Sequence, residues 1–287
     1  MIIKLLIRNN MTKRPLNIIS ILLAFLALAG CSQDETLSQS GGMLLLTRSG
    51  DGTDGSSNSL SPSADYRLLV FDNTGSQIKN EAFTPGTSRL ALEDGTYDIV
   101  TLGNMDANAL TISDATLNAA TVSCKENATI PMLYHGKGTL TISNGSSTPD
   151  TYTAQLEPVA GTIRLEVTED QPGRYTYTLN NMYASISLSN GKGTGATKKR
   201  SLTNRQTVNS FPTDGTITLG CSMDGEAEKT FDTGIALEAG KVTTLYLTVK
   251  KGEVELTDSE ISAWKDVGTI TDEVTTSHLR QKSIKFK

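Results

Sequence analysis

Short runs of alternating apolar and polar residues, separated by glycine, asparagine and aspartate, fill most of the chain. Thr162-Ile163-Arg164-Leu165-Glu166-Val167 alternates strictly. A strand there turns Ile163, Leu165 and Val167 to one sheet face and Arg164 and Glu166 to the other. Tyr175, Tyr177 and Leu179 keep the same period, as do Ile186 with Leu188, and Leu245, Leu247 and Val249. Earlier, Tyr66–Phe71 (YRLLVF) runs into the turn Asp72-Asn73-Thr74-Gly75, and Leu90-Ala91-Leu92 leads through Glu93-Asp94-Gly95 to Tyr97–Leu102. Met132-Leu133-Tyr134 precedes His135-Gly136-Lys137-Gly138, which reads as a turn, and then Leu140-Thr141-Ile142 and Asn144-Gly145. No long stretch carries a helical stripe. Many short strands punctuated by turn chemistry predict an all-β protein of the sandwich type rather than an α/β sheet.

The first thirty residues follow a different grammar. Lys4, Arg8, Lys13 and Arg14 stand without an acidic residue, ahead of the apolar run Ile18–Ala29. That is the layout of an export signal, removed from the mature protein, and its twelve-residue apolar run is short of the about 20 that span a bilayer. Met11 opens the same signal by itself. The run ends at Leu28-Ala29-Gly30-Cys31, which resembles a bacterial lipobox. The resemblance implies that the Cys31 thiol takes up diacylglycerol and that Cys31 becomes the new N-terminus. With each buried CH₂ contributing about 0.8 kcal/mol, two or more acyl chains hold a protein to a membrane far more firmly than one.

Loss of those thirty residues changes the charge balance. The whole chain has 26 basic and 31 acidic side chains; four of the basic ones go with the signal, which leaves 22 and moves the net charge from −5 to −9. Nucleic acid, which needs clustered Lys and Arg on its phosphates, is not an expected partner. The remaining 257 residues suit one large or two medium domains; the two-domain reading has a seam near Glu157-Pro158 and expected spans of 61–157 and 158–270. Residues 31–60 form a spacer with a candidate first strand, Met43-Leu44-Leu45-Leu46-Thr47, followed after Arg48 by a Gly/Ser/Asp loop. Residues 271–287 form a polar tail. Cys124 and Cys221 fall in different expected domains and read as two separate buried thiols.

Little in the chain offers chemistry. His135 and His278 are its two histidines, and no HExxH, CxxC, P-loop or GxSxG arrangement occurs. Asp51 and Asp54 sit among glycines without EF-hand spacing, so neither a metal nor another cofactor is expected. Trp264, in Ile261-Ser262-Ala263-Trp264, is placed like a segment that plugs a core. Leu92-Glu93-Asp94-Gly95 and Leu237-Glu238-Ala239-Gly240 each feed an alternating strand; they mark either two domains of one design or turn chemistry repeating itself. Lys198-Lys199-Arg200 reads as part of a Gly/Thr-rich loop.

Taken in order, Tyr66–Asp72 (YRLLVFD), Leu92–Asn104 (LEDGTYDIVTLGN), Pro131–Gly136 (PMLYHG) and Ile261–Trp264 (ISAW), behind a lipobox, resemble the fimbrial lipoproteins of Bacteroidetes, including their fimbrium anchor subunits. The resemblance covers most of residues 60–270. It implies two tandem transthyretin-like Greek-key β-sandwich domains, no catalysis, and a fimbrium at the outer-membrane surface. Asp34-Glu35 behind Cys31 is similar to the signal that sends such lipoproteins to the outer face. Partners implied are other fimbrial subunits, joined by β-strand complementation, outer-membrane lipid through Cys31, and a glycan or host-surface ligand. Two roles project onto the residues. If Met43, Leu44, Leu45 and Leu46 stay as a core strand, the protein is a lipid-anchored base or accessory subunit. If a protease cuts after Arg48, the lipid leaves and the protein is a stalk or tip subunit. A glycan-binding surface lipoprotein is the reading outside this scheme.

Overall fold

The computed structural model describes residues 41–48, 65–84, 88–113, 115–126, 128–143, 151–250, 253–263, 275–276 and 282–285. The first half forms β1 (Gly41–Arg48), β2 (Tyr66–Phe71), β3 (Gln77–Phe83), β4 (Arg89–Ala91), β5 (Gly95–Gly103), β6 (Leu110–Ile112), β7 (Thr121–Cys124), β8 (Tyr134–Ile142) and β9 (Thr151–Pro158). The second half continues with β10 (Gly161–Glu169), β11 (Tyr175–Ser187), β12 (Gly193–Leu202), β13 (Thr207–Ser210), β14 (Thr216–Met223), β15 (Lys229–Ala236), β16 (Lys241–Lys250) and β17 (Glu253–Ala263). β18 (Thr275–Thr276) and β19 (Lys282–Lys285) follow. The alternation of the sequence thus becomes an all-β, sandwich-type fold of open sheets, and no helix among the described residues is long and apolar enough to cross a membrane.

One pairing scheme occurs twice. In the first half β2 pairs antiparallel with β3 and β5, and β5 with β8; β1 pairs antiparallel with β4 and parallel with β9. In the second half β11 pairs antiparallel with β12 and β14, and β14 with β15; β10 pairs antiparallel with β13 and parallel with β16. Each half therefore holds a run of four antiparallel strands and a mixed run of three; in the second half β17 extends the mixed run by pairing antiparallel with β16, and β18 and β19 pair with β17. The parallel pairs join strands far apart in sequence, as parallel pairing requires. The LEDG and LEAG turns precede β5 and β16, which are not equivalent in this scheme. The turn that matches LEDG by position is Thr213-Asp214-Gly215 before β14.

Close backbone approach explains a misread segment. His135-Gly136-Lys137-Gly138 lies inside β8, paired with β5 over its whole length, and is not a turn. A Cβ on Gly136 would stand 2.4 Å from the Gln155 carbonyl oxygen, and one on Gly138 2.6 Å from the Tyr152 ring. The glycines are there so that β9 can lie against β8. β8 and β9 share only the pairs Tyr134↔Pro158 and His135↔Glu157. The turn at Asp72–Gly75 forms as expected: Gly75 has φ +79°, its N–H donates to the Asp72 carbonyl at 2.9 Å, and Asp72 Oδ1 accepts from Thr74 N–H and Ser76 N–H.

The core follows the apolar positions. Leu69, Val70, Phe71, Ile99, Val100 and Leu102 are all fully buried, so neighbouring residues of β2 and β5 bury both faces, consistent with their unbroken apolar runs. The segment between β5 and β8 lies beside β2, with Met105 N–H on the Asp65 carbonyl and Leu117 N–H on that of Gly75. Ile163, Leu165, Leu179, Leu245 and Val249 fill the second half.

Candidate assembly interface

β1 brings the candidate first-strand residues alongside β9, next to last in its sheet. Met43, Leu44, Leu45 and Leu46 pair in parallel with Thr151, Tyr152, Thr153 and Ala154 of β9, and Arg48, the last residue of β1, pairs with Leu156. On the other side Gly41, Gly42 and Met43 pair with β4. β1 is β4's only strand partner among the described residues. Along β9, Tyr152, Ala154 and Leu156 are buried while Thr153 and Gln155 are exposed. Removing β1 would leave β9 with an open edge above this apolar row, and a strand with unpaired N–H and C=O groups over an apolar groove accepts a replacement strand. Cys31, Asp51, Asp54, Trp264 and His278 lie outside the described residues.

The halves meet through a strand that crosses between them. β7 of the first half pairs antiparallel with β11 of the second through Ser123↔Ser185, Val122↔Ile186 and Thr121↔Ser187, so one sheet draws strands from both sides of the expected seam. The Ser123 and Ser185 hydroxyls are 2.8 Å apart, and Leu188 N–H donates to the Ala120 carbonyl at 2.9 Å. His135 Nε2 lies 2.8 Å from the Leu188 carbonyl oxygen, and that contact makes Nε2 the protonated nitrogen of the neutral ring. Burial lowers the His135 pKa, more strongly than the Leu188 carbonyl raises it; Lys137 lowers it further and Glu157 opposes. The connection between the halves, Val159-Ala160, is itself buried.

The remaining titratable groups do structural work. Cys124 and Cys221 are free, buried thiols, and burial pushes Cys221 up to about 12. Tyr177 donates to Glu169 at 2.8 Å, Tyr183 to Asp214 at 2.8 Å and Tyr246 to Glu260 at 2.9 Å. Among the described residues no group of three or more His, Cys, Asp or Glu side chains is placed to hold a metal ion. A β-branched residue in a four-residue strand carries no signal of which sheet it joins, so nothing in Thr121–Cys124 announces the pairing of β7 with β11.

Comparison with known proteins agrees with this architecture. The chain resembles the fimbrial anchor protein Mfa2 from Porphyromonas gingivalis, with a TM-score of 0.57 and 14% identity over 83% of this chain and 99% of that one. A protein from Bacteroides ovatus designated an adhesin gives a TM-score of 0.56 and 15% identity over 83% of this chain and 95% of that one. One from Bacteroides thetaiotaomicron designated polysaccharide-binding gives 0.57 and 11% over 79% and 98%. These likenesses speak to the fold. No curated protein sequence matches. The family described as fimbrillin-A associated anchor proteins Mfa1 and Mfa2 matches residues 39–262, most of the chain. With that match and the shared architecture together, the chain belongs to the fimbrillin-A associated anchor protein family, the non-catalytic fimbrial subunits of the Bacteroidetes surface.

Proposed function

We propose that the protein is the lipid-anchored base, or an accessory subunit, of a surface fimbrium. The observation that carries this reading is the pairing of β1, with Met43–Arg48 on β9 and Gly41–Met43 on β4. A strand paired with β9 from Met43 to Arg48 and held at its start by β4 is costly to remove, and retaining it keeps the chain joined to Cys31 and its lipid. The repeated pairing scheme supports two tandem transthyretin-like Greek-key sandwiches, divided near Glu157-Pro158, and the short strands β18 and β19 of the polar tail pair with β17. Neighbouring subunits join by strand addition, in which main-chain bonds supply affinity and alternating side chains supply register.

The second role keeps the same fold and changes one bond. Arg48 closes β1, so cutting after it separates the strand and its lipid from the body and makes a stalk or tip subunit with a groove above Tyr152, Ala154 and Leu156. Mass spectrometry of the mature surface protein distinguishes the two. The anchor reading expects an acylated N-terminus at Cys31; a lipid-free chain starting at Ser49 sinks it.

A further inference from the structure

Two cations of β12 meet on one face of their sheet with no carboxylate between them. Lys198-Lys199-Arg200, which has the composition of a loop, lies inside β12. Register sets Lys198 opposite Met182 and Arg200 opposite Leu179, and residues two apart in a strand share a face. β11 runs between β12 and β7, and both side chains reach across it toward Cys124, the last residue of β7. Lys198 Nζ donates to the Cys124 carbonyl at 3.0 Å. At the Cys124 thiol, burial raises the pKa, and Arg200 and then Lys198 oppose it. Lys199 points the other way and pairs with Glu228 at 2.8 Å.

Arg200 is the less satisfied of the two. Its side chain is half-buried, burial lowers its pKa, and the Cys124 thiol opposes that. A guanidinium has several N–H donors in a fixed fork, yet this one makes no hydrogen bond or ion pair among the described residues. A third ammonium flanks the pair: Lys125, next to Cys124, donates to the Ala107 carbonyl at 2.6 Å. Glu126 beyond it is exposed and bonded to none of the three. Acidic side chains outnumber basic ones in this chain, so the missing carboxylate is not a matter of supply. Like charges held together and partly desolvated repel, and a bound anion removes that cost. Charge balance selects the anion. A carboxylate would neutralise one cation, whereas a phosphate group carries about −1.5 to −2 at neutral pH and neutralises both. The planar guanidinium takes two phosphate oxygens side by side, and the ammonium takes a third as a point charge.

We propose that Lys198 and Arg200, converging beside Cys124, form a binding site for a phosphate group, presented either as free phosphate or as the phosphomonoester of a lipid headgroup or glycan. This holds whether the chain is an anchor or a stalk subunit, because β1 takes no part in it. The full chain would be titrated at constant ionic strength with inorganic phosphate, glycerol phosphate and acetate, following the Arg200 Nε–H signal by nuclear magnetic resonance. Phosphate should saturate the site about tenfold or more tighter than acetate, the effect of one further neutralised charge, and should raise the thermal unfolding midpoint. Tighter binding of glycerol phosphate than of inorganic phosphate supports the site with a phosphomonoester as its ligand; the reverse order supports it with free phosphate. Lys198→Met, at an exposed position, should weaken phosphate by about tenfold. Arg200→Met should abolish saturation, with circular dichroism reporting an intact fold. Lys199→Met, on the opposite face, should leave binding unchanged. No saturation by either phosphate, equal affinity for acetate, or phosphate binding that Lys198→Met leaves unmoved would each overturn the proposal.

Discussion

At the residue scale, the substitutions with the clearest expected outcomes are at glycine and histidine. Gly136→Ala forces a methyl to within 2.4 Å of the Gln155 carbonyl oxygen, a backbone atom that moves only if β9 moves. A loss of about 1–3 kcal/mol is expected for such overpacking, read by denaturant unfolding. His135 has a folded pKa below its ordinary 6.5. The unfolded chain therefore takes up the proton more readily. The neutral-ring contribution is complete above about 6.5 and is lost as pH falls from there through the lower folded value. Thermal unfolding across that window should show a decline that His135→Gln flattens. Cys124 and Cys221 are buried thiols whose pKa burial raises, so an alkylating reagent at neutral pH should label neither until the chain is unfolded.

At the element scale, local pattern and tertiary role part company at two segments. Gly-Lys-Gly after His135 has the composition of a turn, yet it is strand, since the glycines answer to the approach of β9, which is remote in sequence. Lys198-Lys199-Arg200 has the composition of an exposed loop, yet Met182 and Leu179 hold it in register as β12. Trypsin offered the native protein should therefore cut slowly after Arg200, because a hydrogen-bonded strand must open before it fits a protease; rapid cutting there would show that β12 detaches from β11. β1 behaves in the opposite way. Its short apolar run predicts a strand, and a strand forms, but its position between β9 and β4 could not be read from five apolar-rich residues.

At the scale of the whole molecule, β7 couples the halves. Its pairing with β11, the Leu188 contacts to Ala120 and His135, and the buried Val159-Ala160 connection leave no solvated linker between them. Calorimetry should show one unfolding transition. Val122→Asp, which sets a carboxylate at a fully buried site in β7, should separate it into two or lower it sharply. The repeated pairing scheme also accounts for the turn motifs. LEDG and LEAG are alike because glycine turns into strands use the same few residues, while the true structural counterparts, β1 with β10 and β5 with β14, share little sequence.

The alternation of apolar and polar residues determined by itself that the chain is β-rich, where most strands run, and which side chains of β10, β11 and β16 face inward, because strand periodicity is a local property of the backbone. Which strands become neighbours was decided only in three dimensions. β1 reaches β9 across about a hundred residues, and β7 leaves its own half for β11. Such pairings are chosen by the burial of whole faces and the satisfaction of distant backbone groups, which no short window of sequence contains.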